Sequence, residues 1–105
     1  MTIVNLTPHA VTFIKDDGNA IVPPSGTVAR LTTETKTIGN IDGIPVTTTV
    51  FGDITGLPDR KPDTVYIVSA LVAGRVPDRD DVFIPNDSVR DEAGRIIGCK
   101  SLGRI

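Results

Sequence analysis

Glycine and proline divide this chain into short segments. Their frequent placement constrains the fold more than any other feature of the sequence. The 105 residues include 10 Gly and 8 Pro, and Thr is abundant whereas Ala is scarce. Proline removes a backbone donor, glycine accepts turn geometry, and β-branched Thr favours extended backbone. We therefore predict a mainly β fold (α+β at most), in the form of a compact antiparallel β-sheet sandwich or barrel-like domain.

Extended segments separated by turn residues occupy the first half of the chain. The predicted strands are residues 2–6, 10–15 and 20–24, followed by two longer ones at 27–37 and 44–54. The sequence Asn-Ile-Asp-Gly between the last two carries the Asp-Gly hairpin signal. We expect these two segments to form a long antiparallel ribbon.

The second half contains the best candidate for a central strand and the only candidate helix. Residues 65–69, Val-Tyr-Ile-Val-Ser, form a short apolar run typical of a buried strand. Ser69 is a suitable cap for at most one short helix near 69–76, which Pro77 would end. A short extended piece, Asp-Val-Phe-Ile-Pro, comes next, and residues 88–102 read as a hairpin.

Length, charge and cysteine content bound the class of protein. We expect a single domain spanning residues 1–105, with a thin core made of Ile, Val and Leu. The formal net charge of −2 argues against binding of extended nucleic acid. No segment approaches the roughly 20 apolar residues that cross a bilayer, so no membrane association is expected. The single Cys99 and the absence of a signal-peptide pattern favour a cytoplasmic location.

Few residues suited to catalysis or metal binding are present. His9 is the only histidine, and a zinc site needs three or four ligands, so we expect no metal. Neither a phosphate-binding loop nor a dinucleotide fingerprint occurs, so no cofactor is expected. Cys99 would need a base to act as a nucleophile, and His9 is the sole candidate imidazole. A phosphodiesterase or cysteine hydrolase is the weakest hypothesis, and we expect a protein that is not an enzyme.

Arginine is the one residue type that suggests a ligand. The segment 74–95 holds four of the seven arginines, and the planar arginine fork matches phosphate and carboxylate geometry. The alternative is a set of surface Arg–Asp pairs, each contributing at most about 1 kcal/mol. The candidate ligand-binding residues all flank predicted strand ends, where loops present contacts: Thr7, His9, Arg30, Ser69, Arg75, Arg79 and Arg90.

Six sequence motifs resemble a known family. They are NLTPHAV (5–11), PPSGTVAR (23–30), GLP (56–58), YIVSALV (66–72), DRDDV (78–82) and VRDEAGRIIG (89–98). With these motifs the chain resembles a family of small proteins encoded by phages and prophages, chiefly of actinobacteria, to which no reaction is assigned. The resemblance implies a phage-borne accessory protein acting in the bacterial host cytoplasm.

Two classes of function follow as hypotheses. The first is a non-catalytic protein that sequesters a small phosphate-bearing ligand, such as a nucleotide immune signal of the host. This hypothesis is an analogy with phage anti-defence proteins that bind nucleotide signals without cleaving them, known as sponges. A homo-oligomer would help to enclose such a ligand. The alternative is a small structural or interaction protein, either a virion accessory or a host-protein inhibitor. In that case the exposed edge of the ribbon would pair with another chain.

Overall fold

The chain folds into eight β-strands and one short helix, as described by a computed structural model that covers all 105 residues. The mainly β class is therefore confirmed, and so is the single short helix in the predicted region. The elements in chain order are β1 (Thr2–Asn5), β2 (Val11–Phe13), β3 (Ala20–Val22), β4 (Arg30–Ile41), β5 (Ile44–Thr55), β6 (Thr64–Ile67), α1 (Ala70–Ala73), β7 (Val82–Arg90) and β8 (Ile96–Gly103).

Six of the strands form one sheet that curls until its two edges almost meet. The strand order is β1-β6-β7-β8-β2-β3. The amide of Ser25, just beyond β3, donates to the carbonyl of Asn5 at the end of β1 at 3.0 Å. An isolated parallel bridge between Asn5 and Pro24 lies beside this bond. The sheet is therefore nearly closed, which confirms the barrel-like architecture.

Strand directions within this sheet are mixed rather than antiparallel throughout. The pairs β1–β6, β6–β7 and β2–β8 run parallel, whereas β7–β8 and β2–β3 run antiparallel. Parallel neighbours need a long crossover connection, and residues 68–81, which include α1, provide one between β6 and β7. Turn signals in the sequence report only adjacent antiparallel strands, so the parallel pairings were not foreseen.

The core lies around β6, as the apolar run at 65–69 predicted. Tyr66, Ile67 and Val68 are at most 1% exposed. The first turn of the following helix is capped by Ser69, whose hydroxyl accepts from the amide of Val72 at 3.4 Å. Tyr66 and Val68 belong to the main core cluster, together with Leu6, Ala29, Val72, Ala73 and Val82. Helix α1 is the only helix, and it is far too short to span a membrane.

The predicted ribbon is present and stands apart from the sheet. Strands β4 and β5 pair only with each other, and their connection at Asp42 and Gly43 has φ values of 52° and 81°. Two consecutive residues with positive φ are typical of a type I′ hairpin turn. At its root, half-buried Leu31 and Ile54 pack against the core. The ribbon is about 40 Å long, and it raises the radius of gyration to 17.0 Å, against about 13 Å for a compact chain of this length.

Candidate functional site

Three of the seven predicted ligand-binding residues border one cavity. Thr7, Arg30 and Ser69 lie on the loop after β1, at the start of β4 and at the cap of α1. The cavity is open to solvent and has a volume of about 400 Å³. Its remaining wall is almost entirely apolar, formed by Leu6, Pro8, Val28, Ala29, Leu31, Leu71 and Val72.

Only one of these three side chains is free to bind a ligand. The Thr7 hydroxyl donates to the Asn5 amide oxygen at 2.6 Å, and the Ser69 hydroxyl caps α1. The guanidinium of Arg30 is exposed and makes no hydrogen bond or ion pair within the chain. The cavity therefore offers one unpaired cation beside an apolar wall.

The Asn-Leu-Thr-Pro-His motif has a structural role that the sequence did not reveal. Asn5 is 1% exposed, and its side-chain amide donates to the carbonyls of His9 at 2.8 Å and Val22 at 3.1 Å. Its oxygen accepts from the amide and hydroxyl of Thr7. Asn5 thus ties the loop after β1 to the end of β3 at the seam of the sheet. His9 itself is exposed, lies outside the cavity, and contributes only its backbone carbonyl to this network.

Arg79 is occupied by an internal ion pair. Its Nε lies 2.7 Å from Oδ1 of Asp81, and its Nη2 lies 2.9 Å from Oδ2, so the fork is bidentate. Nη2 also donates to the carbonyl of Pro58 at 3.0 Å. The hydrogen bonds between the two side chains raise the pKa of Arg79 and lower the pKa of Asp81, which is a buried residue. Arg79 fixes the loop before β7 and does not line the cavity.

Arg75 and Arg90 also bind groups of their own chain. Arg75 donates to the carbonyl of Phe51 at 3.3 Å, and its guanidinium lies 5.9 Å from the centroid of that ring, a cation–π distance. Arg90 donates to the carbonyl of Gly94 at 2.7 Å across its own hairpin. The arginines chosen from the sequence therefore do not converge on one clamp, because nearby carbonyls and carboxylates occupy them separately.

Cys99 behaves as a small core residue. It is 4% exposed, and its sulfur lies 3.7 Å from the carbonyl oxygen of Thr12. Burial raises the pKa of this thiol, which disfavours the nucleophilic thiolate. No group of three or more His, Cys, Asp or Glu side chains is placed to hold a metal ion.

The ribbon presents a second candidate surface, which we call the apolar ribbon face: Ile41, Ile44, Val46 and Val50. Along β5 the residues alternate between two faces without interruption from Ile44 to Phe51, and the cross-strand pairs share those faces. Ile41 and Ile44 form one pair and are 65% and 67% exposed. The opposite face consists chiefly of threonines: Thr33, Thr35, Thr37, Thr47 and Thr49. The same face also carries Glu34, Lys36 and Thr48. Ile44, Val46 and Val50, at alternating positions interrupted by Thr48, were the signal that could have found this face.

The chain matches no family model, no curated protein and no solved structure.

Proposed function

We propose that this chain is a non-catalytic, phage-encoded protein that binds a small anionic ligand in the cavity bordered by Thr7, Arg30 and Ser69. A nucleotide-like molecule bearing a phosphate is the ligand class, and binding without turnover in the host cytoplasm is the action. A host immune signal is the kind of molecule whose sequestration would benefit a phage. Of the seven residues predicted to contact a ligand, these three share the cavity.

The observation that carries this proposal is the position of Arg30. It is the one arginine among the predicted contacts that borders a cavity and has no partner in its own chain. A guanidinium forms charge-assisted, bidentate hydrogen bonds with phosphate. The apolar wall beside it suits the flat face of a base or another apolar group. A volume of about 400 Å³ falls in the range of small-molecule sites.

A single free arginine also limits the number of phosphate groups that the cavity can recognise. Several arginines would be needed to neutralise a chain of phosphates, and Arg75, Arg79 and Arg90 are held elsewhere. We therefore expect one phosphate group to be recognised directly, with the remainder of the ligand held by apolar contact. One charge-assisted pair contributes about 1.5–3 kcal/mol and one stacked ring about 1–3 kcal/mol. A micromolar dissociation constant requires about −8 kcal/mol, so we expect binding weaker than micromolar.

Calorimetric titration of the purified protein tests the proposal. The panel comprises cyclic dinucleotides, ADP-ribose, AMP and inorganic phosphate. We expect heat from at least one nucleotide, recovery of that nucleotide unchanged by mass spectrometry, and a loss of affinity of about tenfold or more in Arg30→Ala. Arg90→Ala is the matched control, since Arg90 is exposed but lies on a separate hairpin. No heat from any compound, or equal binding by both variants, would refute the proposal, and a cleaved product would show an enzyme.

The exposed ribbon favours a second candidate, the structural or interaction protein. Between residues 32 and 53 every ribbon residue except half-buried Val46 is exposed, and neither ribbon strand pairs with the six-stranded sheet. Near the root of the ribbon, Phe51 contacts Arg75. Contiguous exposed apolar side chains are typical of protein interfaces. In this candidate the ribbon would attach the protein to a virion component or to a host protein.

Site-specific photo-cross-linking in infected or lysogenic cells tests the second candidate. A benzophenone amino acid at position 41 lies on the apolar ribbon face, and one at position 49 lies on the threonine face. We expect position 41 to give one cross-linked product in near-stoichiometric yield, which mass spectrometry identifies. Equal or absent cross-linking from both positions, in cells that contain the folded protein, would exclude an interaction through this face.

A further inference from the structure

A second cavity adjoins the one that Arg30 borders. It lies at the root of the ribbon, is open to solvent and has a volume of about 400 Å³. Because Leu31 lines both cavities, they are adjoining parts of one groove. The second cavity is lined by Leu31, Phe51, Gly52, Asp53, Ile54 and Arg75.

The second cavity contains two opposite charges that do not pair with each other. Asp53 is exposed, and its carboxylate forms no ion pair within the chain. Arg75 donates to the carbonyl of Phe51 and lies over that ring, which holds the guanidinium in place. A guanidinium has five N–H donors, and this carbonyl uses one of them. A free acceptor and free donors therefore border the same cavity.

Guanine carries the complementary pattern along its edge. Its O6 and N7 accept hydrogen bonds, and an arginine fork binds this pair of atoms. Beside O6, the N1–H group and the N2 amine both donate, and the two oxygens of a carboxylate can accept from them. Adenine has an amine in place of O6 and an unprotonated N1, so it would offer Arg75 a donor and Asp53 an acceptor. The pair of side chains therefore favours guanine over adenine.

The spacing of the two cavities suits a nucleotide. In the ribbon register Arg30 pairs with Thr55, so Asp53 lies two residues further along β5 than the partner of Arg30. Strand geometry places the Cα atoms of Arg30 and Asp53 about 8 Å apart. The phosphate and the base edge of a nucleoside monophosphate are separated by a similar length. Leu31, which lies between the two cavities, offers apolar surface to the flat face of the base.

We propose that this groove recognises a guanine nucleotide. Arg30 binds the phosphate, Asp53 accepts from N1–H and the N2 amine, and Arg75 donates to O6 and N7. The inference rests on the proposed function and narrows its ligand class from a nucleotide-like anion to a guanine nucleotide. A single phosphate is still bound directly, because Arg75 borders the second cavity only. Asp53 is the residue that determines base specificity.

Calorimetric titration with GMP, IMP and AMP, at up to about 1 mM, tests base recognition. IMP is GMP without the N2 amine, so it loses one charge-assisted bond to Asp53. We expect GMP to bind about tenfold more tightly than IMP, and AMP to bind most weakly. Asp53→Asn should bring the affinity for GMP close to that for IMP. Arg75→Lys should weaken both alike, since both carry O6 and N7 and lysine lacks the planar fork.

Asp42→Asn is the matched control for the loss of a carboxylate. It removes the same charge at the exposed tip of the ribbon, where Asn also tolerates the positive φ, and it should leave both affinities unchanged. Thermal unfolding verifies that every variant is folded.

The outcomes separate this inference from the proposed function. Equal binding of GMP and AMP, or a ratio of GMP to IMP affinity that Asp53→Asn leaves unchanged, would overturn base recognition. If Arg30→Ala still weakens binding in that case, the cavity proposal stands. If none of the three nucleotides gives heat, the inference is overturned, and the proposed function fails too unless another nucleotide of its panel binds.

Discussion

Replacing Asn5 tests the claim that one buried amide closes the sheet. Asn5→Ala removes two donated hydrogen bonds, to the carbonyls of His9 and Val22, and two accepted ones from Thr7. Each such bond contributes about 1 kcal/mol net, so the four set an upper value of about 4 kcal/mol. Water can replace part of this network, because the Thr7–His9 loop lies at the surface. We therefore expect a loss of about 3 kcal/mol in the free energy of unfolding.

The assay is thermal and urea unfolding of the wild type and three variants. A loss of about 3 kcal/mol lowers the midpoint of a domain of this size by about 15 °C. Asn40→Ala is a matched control, since Asn40 is exposed and its side chain accepts one bond, from the amide of Gly43. It should cost less than about 1 kcal/mol. Thr7→Ser keeps the hydroxyl and should be similarly mild.

One result would refute the reasoning about the seam. If Asn5→Ala were no less stable than Asn40→Ala, the buried network would contribute nothing net, and closure would rest on backbone contacts alone. A large loss of stability in Thr7→Ser would also contradict it. In that case the methyl group of Thr7, and not its hydrogen bond to Asn5, would be the important contact.

Three further predictions concern an ion pair, a glycine with positive φ and a buried thiol. Asp81→Asn should lower the free energy of unfolding by about 2 kcal/mol at pH 7, because it leaves Arg79 without its carboxylate. Since the pair holds the pKa of Asp81 below the usual 3.8, this loss should be constant above about pH 5 and shrink as the pH falls through the folded-state pKa. Gly56→Ala should lower the unfolding midpoint, since Gly56 has φ of 81° and a Cβ would overlap the carbonyl of Val28. Cys99 should react with a maleimide at pH 7.5 far more slowly in the native state than in urea, because burial raises its pKa.

The two substitutions have matched control variants, and each of the three predictions has a contrary outcome. Arg60 forms an exposed pair with Asp80, so Asp80→Asn should cost less than about 1 kcal/mol; equal losses at Asp80 and Asp81 would contradict the role of burial. Gly39→Ala should be tolerated, since a Cβ there meets no atom within 4 Å. A stable Gly56→Ala would show that the root of the ribbon can rearrange. Rapid labelling of native Cys99 would show that β8 opens.

Local sequence signals were sufficient to predict the turns and helix caps that a few consecutive residues form. The Asn-Ile-Asp-Gly turn gave a hairpin whose tip takes the two positive φ values that Asp and Gly tolerate. Ser69 capped the helix at the expected residue, although α1 ends at Ala73 and is shorter than the predicted segment. Two extended pieces around Asn86, expected to be separate, form the single strand β7, because both pair with β8.

The candidate site was predictable only in part. Side-chain type identified Thr7, Arg30 and Ser69 as residues with binding chemistry, but their shared cavity depends on packing between distant segments. The same reasoning selected Arg75 and Arg79. The sequence does not distinguish an arginine that binds a ligand from one that binds a group of its own chain. Arg79 has its partner two residues away, and Arg75 meets Phe51 across the root of the ribbon.

The sequence by itself determined that this chain is mainly β, where its long hairpin turns, and that β6 is buried. Backbone propensity, turn geometry and apolar runs all act within a few residues, so they can be read in order along the chain. Only the tertiary structure decided which strands run parallel, that Asn5 joins the two edges of the sheet, and which arginine is left free. These features arise from contacts between residues far apart in sequence, where the local environment of a side chain fixes its partner.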